Sequence, residues 1–188
     1  MYPALFLDRD GVIVENRPDY IRSWADVYIF PQALEALIKV RIAPYKIIIV
    51  TNQSVVGRGI ISLSEAEAIN QRLVAEIEAA GGQIDAVLMC PHSPEDNCSC
   101  RKPRPGLLLQ AAELFSIDLK NSILIGDAVS DLLAGQAAGV QKTILVRTGR
   151  GADQVNLANN VPLGPYLVYD TLVQALTDLF SDYFPLGS

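Results

Sequence analysis

Short apolar runs alternate with helix-forming stretches along almost the whole chain. The run 4–7 has no polar alternation, which is typical of a strand buried on both faces of a parallel sheet. Strands and helices in strict alternation predict an α/β fold, namely one doubly wound, Rossmann-like parallel sheet with helices on both faces. The predicted strands are 4–7, 45–50, 84–89, 122–125 and 142–146, with a last strand and helix between 166 and 180.

Local signals mark the ends of the intervening helices. Pro31, followed by leucines three apart, predicts a helix over 31–38. The stretch Ser64-Glu65-Ala66-Glu67 matches a capping box and predicts the start of a helix that ends near Gly81. A further helix is expected after Pro105-Gly106, and the helix after the fourth strand should close at Gly139.

Composition limits the classes of protein to which the chain can belong. Half of its 188 residues are hydrophobic, so we expect a substantial core and a single domain over residues 1–188. The net charge of −6 argues against a nucleic-acid-binding protein. Neither an apolar run of the ~18 residues that a membrane span needs nor a signal-peptide pattern is evident. We therefore expect a cytoplasmic monomer with no nucleic-acid or membrane partner.

Polar side chains collect where the predicted strands end. Asp8 and Asp10 follow the first strand, and Thr51 follows the second. Lys102 lies in the loop after the third strand, and Asp127 follows the fourth. Because chemistry in an open parallel sheet lies beyond the carboxyl ends of its strands, these residues are expected to converge on one edge. Carboxylates, a hydroxyl and an ammonium group together indicate a catalytic site.

Four motifs, taken as a set, resemble those of the haloacid dehalogenase superfamily of phosphohydrolases, and the match covers most of the chain. The resemblance implies a phosphatase that acts on a small phosphorylated metabolite. The matching stretches are Leu5-Phe6-Leu7-Asp8-Arg9-Asp10-Gly11, Val50-Thr51-Asn52, Lys102 and Ile125-Gly126-Asp127-Ala128-Val129-Ser130-Asp131.

The resemblance also implies a reaction through an aspartyl-phosphate. Asp8 would attack phosphorus, which divides the hydrolysis into two easier displacements. The side chain of Asp10 would protonate the leaving oxygen and then deprotonate the attacking water. Mg²⁺, held by Asp8, Asp127 and the backbone carbonyl of Asp10, would neutralise the phosphate dianion so that a carboxylate can approach it.

Three further residues are expected to support this chemistry. Thr51 would hydrogen-bond a phosphoryl oxygen, and Lys102 would neutralise the charge spread over those oxygens. Asp131 lies one helical turn beyond Asp127, where it would orient Lys102 or a metal-bound water. The alternative for Asp131 is a purely structural role as the cap of the following helix.

The three cysteines of the chain and its only histidine all lie between positions 90 and 100. Three thiolates and one imidazole are the ligands of a closed, structural Zn²⁺ site, here Cys90, His92, Cys98 and Cys100. The alternatives are a metal-free loop and a strained Cys98–Cys100 disulfide, which the cytoplasm disfavours. This zinc loop, residues 90–100 between the third strand and the next helix, ends two residues before Lys102. Zinc would therefore hold the segment that carries the catalytic cation.

The zinc loop narrows the resemblance to one branch of these phosphatases. A Cys-x-His…Cys-x-Cys cluster that runs into Arg-Lys-Pro, with Thr-Asn-Gln-Ser after the second strand, is similar to the branch of the heptose bisphosphate and histidinol-phosphate phosphatases. A sugar bisphosphate is the favoured substrate, with Arg58 and Arg101 as candidates for its second phosphate and Asn52 as a further substrate-binding residue. Histidinol phosphate is the alternative, since Glu15, Glu95 and Asp96 could receive its amine.

Spacing leaves no room for a separate cap domain. Forty residues separate Asp10 from Thr51, and fifty separate Thr51 from Lys102, and each interval is used by its own helix and strand. The site is expected to be open, with walls formed by the loop 16–24 and the zinc loop. For Arg147 and Arg150, solvation at the surface is the favoured interpretation.

A receiver-type signalling domain is the alternative from a different class of protein. It too is doubly wound and uses clustered aspartates, a lysine and Mg²⁺. Its phosphorylated aspartate, however, follows the third strand, and in this chain the third strand leads into a cysteine-rich loop with no aspartate at the strand tip. The Asp-x-Asp pair follows the first strand instead, so the phosphatase is favoured.

Overall fold

Six parallel strands form one sheet in the computed structural model of the protein, which describes residues 1–183. The strand order is β3-β2-β1-β4-β5-β6, so the chain moves outward from β1 in one direction and returns to build the other half from β4. The predicted doubly wound sheet is confirmed. The strands are β1 (Ala4–Leu7), β2 (Lys46–Asn52), β3 (Ala86–Cys90), β4 (Ile123–Gly126), β5 (Lys142–Val146) and β6 (Leu167–Tyr169).

Helices cover both faces of this sheet, as expected for parallel strands. Alternate residues of β1 point to opposite faces: Leu5 and Leu7 belong to one apolar core, whereas Ala4 and Phe6 belong to the other. The first core packs against α1, α3 and α7, and the second packs against α4 and α5. The helices are α1 (Pro31–Val40), α2 (Ser54–Gly57), α3 (Leu63–Ala79), α4 (Gly106–Phe115), α5 (Val129–Ala138), α6 (Gly151–Ala158) and α7 (Leu172–Leu179).

The helix ends show where local signals were sufficient. Gly139 closes α5 with φ +78°, as predicted, because a left-handed residue there lets its N–H reach the last carbonyl groups. The predicted capping box at the start of α3 was wrong by two residues. Ser62, not Ser64, is the N-cap, and Ser62 and Glu65 make the reciprocal hydrogen bonds. The helix α6 lies in a segment for which the sequence pattern predicted no element.

The interval between β1 and β2 contains few secondary-structure elements. Between β1 and β2 lie a 3₁₀ turn at Trp24–Asp26 and α1, which leaves no segment for a cap domain in that part of the described chain. No helix within residues 1–183 is long and apolar enough to cross a membrane. The sheet reverses direction between β1 and β4, so the carboxyl ends of these two strands border the crevice where open α/β sheets bind ligands.

Candidate active site

Asp8 lies at this crevice, directly after β1. Its side chain is almost fully buried, and its Oδ1 accepts a hydrogen bond of 2.7 Å from the backbone N–H of Arg9. Burial, partly opposed by Lys102, raises the pKa of Asp8 to about 6. Gly11 allows the chain to turn here, since it has φ +84° and a Cβ at this position would overlap the Asp127 carboxylate.

Lys102 supplies a buried positive charge beside Asp8. Its Nζ lies 3.0 Å from Asp8 Oδ1 and 2.6 Å from Asp131 Oδ1, and it donates a hydrogen bond of 2.8 Å to the carbonyl oxygen of Val50. Burial alone would lower the pKa of Lys102, but the two carboxylates outweigh burial and raise it. Lys102 thus contacts both carboxylates, and the role of Asp131 in orienting it stays a prediction. Asp131 also accepts a hydrogen bond from Ala128 N through Oδ2, so it caps α5 as well.

Asn52 fixes the backbone of Lys102 from the end of β2. Its Nδ2 donates to the Lys102 carbonyl at 3.0 Å, and its Oδ1 accepts from the Lys102 N–H at 3.1 Å. These two bonds join the end of β2 to the loop after the zinc cluster. The side chain of Asn52 also lines the cleft above Asp8, and its predicted role in substrate binding stays a prediction.

Asp127 brings a third carboxylate to the same place. It is fully buried, and one carboxylate oxygen from each of Asp127, Asp8 and Asp131 lies within 4.8 Å of the other two. Three clustered carboxylates are the hard oxygen donors that Mg²⁺ prefers, so the donor set fits this ion. Burial and the charge of Asp8 raise the pKa of Asp127, and Arg150 opposes the shift. A cation at this site would relieve the repulsion between the carboxylates.

Arg150 contacts the carboxylate cluster, whereas the sequence favoured simple solvation of this side chain at the surface. Its backbone N–H donates to Asp127 Oδ2 at 2.9 Å, and its Nη2 lies 3.2 Å from Asp127 Oδ1. Asn16 Nδ2 also approaches Asp127 Oδ2, at 3.4 Å. Arg147 is different, since it pairs with Asp170 at 3.3 Å between two exposed side chains.

Two residues to which the sequence analysis gave no role, Gln53 and Arg9, contact Asp10, the predicted general acid and base. Gln53 Nε2 donates to Asp10 Oδ2 at 2.7 Å and to Thr51 Oγ1 at 2.8 Å, so one amide links the side chains after β1 and β2. Arg9 binds Asp10 through its guanidinium group. Gln53 could have been recognised because it continues the Thr-Asn motif. Arg9 was recognisable as a charge within an otherwise buried strand end.

The four predicted zinc ligands come together at the end of β3. Sγ of Cys100 lies 3.2 Å from that of Cys90, 3.4 Å from that of Cys98 and 3.3 Å from His92 Nδ1. Bonds of about 2.3 Å to sulfur and about 2.0 Å to nitrogen give a tetrahedron with edges near 3.5–3.8 Å. The donor set and its spacing thus fit Zn²⁺. All three cysteines are free thiols in the described part of the chain.

A cleft of about 610 Å³ opens above Asp8 and Asp10. The loop after β1 forms one wall with Asn16 to Ile21, and the segment after the zinc cluster contributes Arg101 and Lys102. The first wall lies within the predicted loop 16–24. The second prediction was wrong by a short distance, because in the described structure the cleft is lined by the two residues that follow the zinc loop and not by the loop 90–100 itself. Arg101 donates a hydrogen bond of 3.1 Å to the carbonyl oxygen of His92, which anchors it to the zinc loop.

Arg58 takes a different position from Arg101. It is absent from the lining of the cleft in the described structure, and its Nη2 lies 3.6 Å from Oε1 of Glu95 on the zinc loop. Asp96 accepts hydrogen bonds from the backbone and hydroxyl of Ser93. The acidic residues of the zinc loop are therefore engaged within the protein. The substrate role of Arg58 stays a prediction.

Comparison with known proteins agrees with this site. The HAD-hydrolase-like family model matches residues 99–175. The D-glycero-β-D-manno-heptose-1,7-bisphosphate 7-phosphatase of Pseudomonas aeruginosa is 37% identical over 93% of this chain and 96% of its own length. The D-glycero-α-D-manno-heptose-1,7-bisphosphate 7-phosphatase of Photorhabdus laumondii is 36% identical over 83% of this chain and 91% of its own.

Solved structures give the same relationship. The D,D-heptose 1,7-bisphosphate phosphatase of B. bronchiseptica, complexed with magnesium and phosphate, superposes with a TM-score of 0.88 at 30% identity, over 96% of this chain and 99% of that one. The corresponding enzyme of Burkholderia thailandensis superposes with a TM-score of 0.72 at 29% identity, over 95% of this chain and 99% of its own. Similarity of this extent, together with the buried Asp8–Lys102 pair at the sheet switch point, shows that the chain belongs to the HAD-like hydrolase family and is one of its phosphatases.

Proposed function

We propose that this phosphatase depends on Mg²⁺ and removes the 7-phosphate of D-glycero-D-manno-heptose 1,7-bisphosphate through an aspartyl-phosphate on Asp8. The observation that carries the reaction type is the contact of 3.0 Å between Asp8 and Lys102 at the floor of the cleft. The choice of substrate rests on the similarity to heptose bisphosphate phosphatases and on the positive side chains that line the cleft.

Asp8 is the nucleophile in this proposal because it is the carboxylate that faces both the cleft and the buried ammonium group. Asp10 lines the same cleft two residues later and exchanges protons with the leaving oxygen and with water. Asp8 and Asp127, with the carbonyl of Asp10, would hold Mg²⁺, which when bound supplies positive charge against the phosphate dianion. Lys102 neutralises the phosphoryl oxygens, and Thr51 donates a hydrogen bond to one of them.

The charges around the cleft favour an anionic handle on the substrate. Four cationic side chains line the cleft, against two carboxylates, Asp8 and Asp10, that are assigned to the chemistry. Arg101 is the cation best placed to bind a second phosphate. In the described part of the chain its guanidinium group binds a backbone carbonyl oxygen, that of His92, and no carboxylate. The acidic groups that a histidinol amine would need are engaged instead: Glu95 pairs with Arg58, and Asp96 binds Ser93. A sugar bisphosphate suits this cleft better than an amino alcohol phosphate.

The zinc cluster has a structural role in the proposal. Zn²⁺ bound by Cys90, His92, Cys98 and Cys100 would have no open position for a substrate oxygen. It orders the loop that anchors Arg101 and leads directly into Lys102. The loss of zinc should therefore reduce turnover although no ligand of the zinc touches the phosphate.

We further propose that the chain is one catalytic domain that acts as a monomer in the cytoplasm. Asp8, Asp10 and Lys102 line one cleft, and Asp127 clusters with Asp8 beside it at the carboxyl ends of the strands. Thiolate ligands of zinc also persist best in a reducing compartment. Sedimentation of the purified protein at the mass of a single chain would support the monomer, and a stable dimer would refute it.

The decisive experiment measures phosphate release with Mg²⁺ from the heptose 1,7-bisphosphate and from histidinol phosphate, with Asp8→Asn as the blank. We expect kcat/KM for the bisphosphate to exceed that for histidinol phosphate at least 100-fold, which corresponds to ~2.7 kcal/mol of transition-state discrimination. The opposite preference would overturn the substrate. Equal activity of Asp8→Asn and wild-type protein would overturn the role of Asp8 as nucleophile.

A further inference from the structure

Arg9 is a buried cation that the proposed mechanism does not use. Its side chain is 3% exposed, although it lies between the two carboxylates of the Asp-x-Asp motif. Nε donates to Asp10 Oδ1 at 3.1 Å, and Nη2 donates to Asp10 Oδ2 at 3.0 Å. This bidentate contact engages both carboxylate oxygens at once, so it limits rotation of the Asp10 carboxylate. A lysine could not reproduce it, because an ammonium group offers a single nitrogen.

The remaining guanidinium nitrogen, Nη1, binds a side chain of α3. Arg9 Nη1 donates a hydrogen bond of 2.7 Å to Oδ1 of Asn70, a residue 61 positions away that is itself buried. The Nδ2 of Asn70 in turn approaches the sulfur of Met89, at 3.4 Å. All three nitrogens of Arg9 are therefore engaged, and the guanidinium plane is fixed at both ends. Gln53 Nε2 adds a bond of 2.7 Å to the same oxygen of Asp10 that Nη2 binds.

We infer that Arg9, backed by Asn70, is a positioning residue that fixes the Asp10 carboxyl group for proton transfer to the leaving oxygen. The inference rests on the proposed function, in which Asp10 is the general acid. The side chains of Arg9 and Asn70 contact neither the substrate nor a metal ligand other than Asp10 in this assignment, although the backbone N–H of Arg9 binds Asp8. They act through the orientation of Asp10.

The step concerned balances as follows. An oxygen of Asp8 forms a bond to phosphorus while the ester P–O bond breaks, and the electron pair of that bond goes to the leaving oxygen. The leaving oxygen takes the proton of Asp10 and departs as an alcohol. In the second displacement the oxygen of water bonds to phosphorus, the bond from phosphorus to Asp8 breaks, and Asp10 accepts the proton of the water.

An aryl phosphate separates this role from a merely structural one. The oxygen of p-nitrophenyl phosphate departs as a stable anion without a proton, whereas the sugar oxygen of the heptose 7-phosphate needs one. The ratio kcat/KM reports the steps up to the departure of this group, so it is blind to the later attack of water. Misplacement of the general acid should therefore lower kcat/KM for the sugar ester and spare the aryl ester.

Four proteins complete the test: wild type, Arg9→Lys, Asn70→Ala and Asn70→Asp. We expect Arg9→Lys and Asn70→Ala to lower kcat/KM for the heptose bisphosphate by roughly 10- to 100-fold, which is less than the full general-acid contribution because Asp10 itself remains. Neither should change it appreciably for p-nitrophenyl phosphate. Asn70→Asp retains an oxygen that accepts from Arg9 Nη1, so it should stay close to wild type on both esters. Asn70→Ala also keeps the test decisive if a lysine in place of Arg9 prevents folding.

Equal losses on the two esters would overturn the positioning role and leave a structural one. Unchanged activity of Asn70→Ala on the sugar ester would overturn it as well. These results differ from failure of the proposed function. In that case the wild-type protein itself would fail to hydrolyse the heptose bisphosphate, and the inference would fall with the function on which it rests.

Discussion

Lys102 Nζ lies 2.6 Å from Asp131 Oδ1, and the two side chains are only 2% and 1% exposed. The same nitrogen lies 3.0 Å from Asp8 Oδ1, so one ammonium group compensates two buried carboxylates. Once Asp8 carries a phosphoryl group it can no longer pair with Lys102 as a free carboxylate. Asp131 takes no covalent part in the proposed reaction, so it is the partner that keeps Lys102 in place throughout the cycle.

Replacement of Asp131 by asparagine should weaken both stability and turnover. Asparagine keeps an oxygen that can accept the Ala128 N–H, but it removes the charge that faces Lys102. We expect the free energy of unfolding to fall by about 1–3 kcal/mol, the usual cost of a buried partner lost from a charged pair. Asp131→Ala should lose about 1 kcal/mol more, because the helix cap is removed as well. Urea unfolding and kcat of the two variants test this, and wild-type values for Asp131→Asn would contradict it.

Arg101 and Arg58 should differ in their effect on the second phosphate. Arg101 lines the cleft, whereas Arg58 pairs with Glu95 outside the cleft lining. We expect Arg101→Ala to lower kcat/KM for the heptose 1,7-bisphosphate by roughly 10- to 100-fold, as for the loss of a charged hydrogen bond. The effect on heptose 7-phosphate, which lacks the second phosphate, should be small.

Arg58→Ala is the comparison variant for this measurement, and steady-state kinetics with both sugars should show a smaller bisphosphate-specific loss than for Arg101→Ala. An equal loss for Arg101→Ala on the two sugars would assign Arg101 to the chemistry of the 7-phosphate instead. A larger bisphosphate-specific loss for Arg58→Ala than for Arg101→Ala would mean that the zinc-loop ion pair opens when substrate binds.

Removal of zinc should affect the enzyme differently from removal of Mg²⁺. The purified protein should contain about one zinc per chain, bound by three thiolates and one imidazole. Exhaustive chelation should lower Tm and activity together, because Lys102 follows the last ligand by two residues. Mg²⁺ alone should not restore activity to the chelated protein, whereas zinc followed by Mg²⁺ should.

Cys98→Ser provides the corresponding variant, and Ser99→Ala provides a control in the same loop. Cys98→Ser should lose most of its zinc by metal analysis, and Ser99→Ala should retain it. Full thermal stability of a zinc-free protein would contradict a structural role of the ion.

The capping box of α3 should make stability depend on pH through one particular glutamate. Hydrogen bonds from the backbone and hydroxyl of Ser62 lower the pKa of Glu65 below its ordinary value. The stabilisation is therefore complete above the ordinary glutamate pKa and is lost as the pH falls through the lower, folded value. The thermal stability of Glu65→Gln should be below that of wild type near neutral pH and should approach it in acid.

Glu67→Gln is the control for this prediction, since Glu67 belongs to the overlapping Ser64-Glu65-Ala66-Glu67 match that the structure does not use as a cap. Thermal melts between neutral and acidic pH should show no comparable pH-dependent difference between Glu67→Gln and wild type. A difference as large as that of Glu65→Gln would place the cap at Ser64 after all.

Local patterns were sufficient where the determining contacts are local. The strand 142–146 matches β5 at both ends, and Gly139 closes α5 as expected, because burial periodicity and helix caps involve residues only a few positions apart. The start of α3 shows the limit of such patterns. Two Ser-x-x-Glu matches overlap there, and only the backbone conformation of Ser62 decides which serine is the cap.

The sequence by itself determined the alternation of strands and helices, the clustering of three cysteines with the histidine, and the polar residues that follow the strands. Each of these is a property of spacing along the chain. The tertiary structure alone decided the strand order, the contact of Arg150 with Asp127, and the support of Asp10 by Arg9 and Asn70. These contacts join residues 23 and 61 positions apart, and they depend on how α3 and the loop after β5 pack against the end of β1. Packing of this kind leaves no periodic trace in the sequence, because a single buried partner is enough to create it.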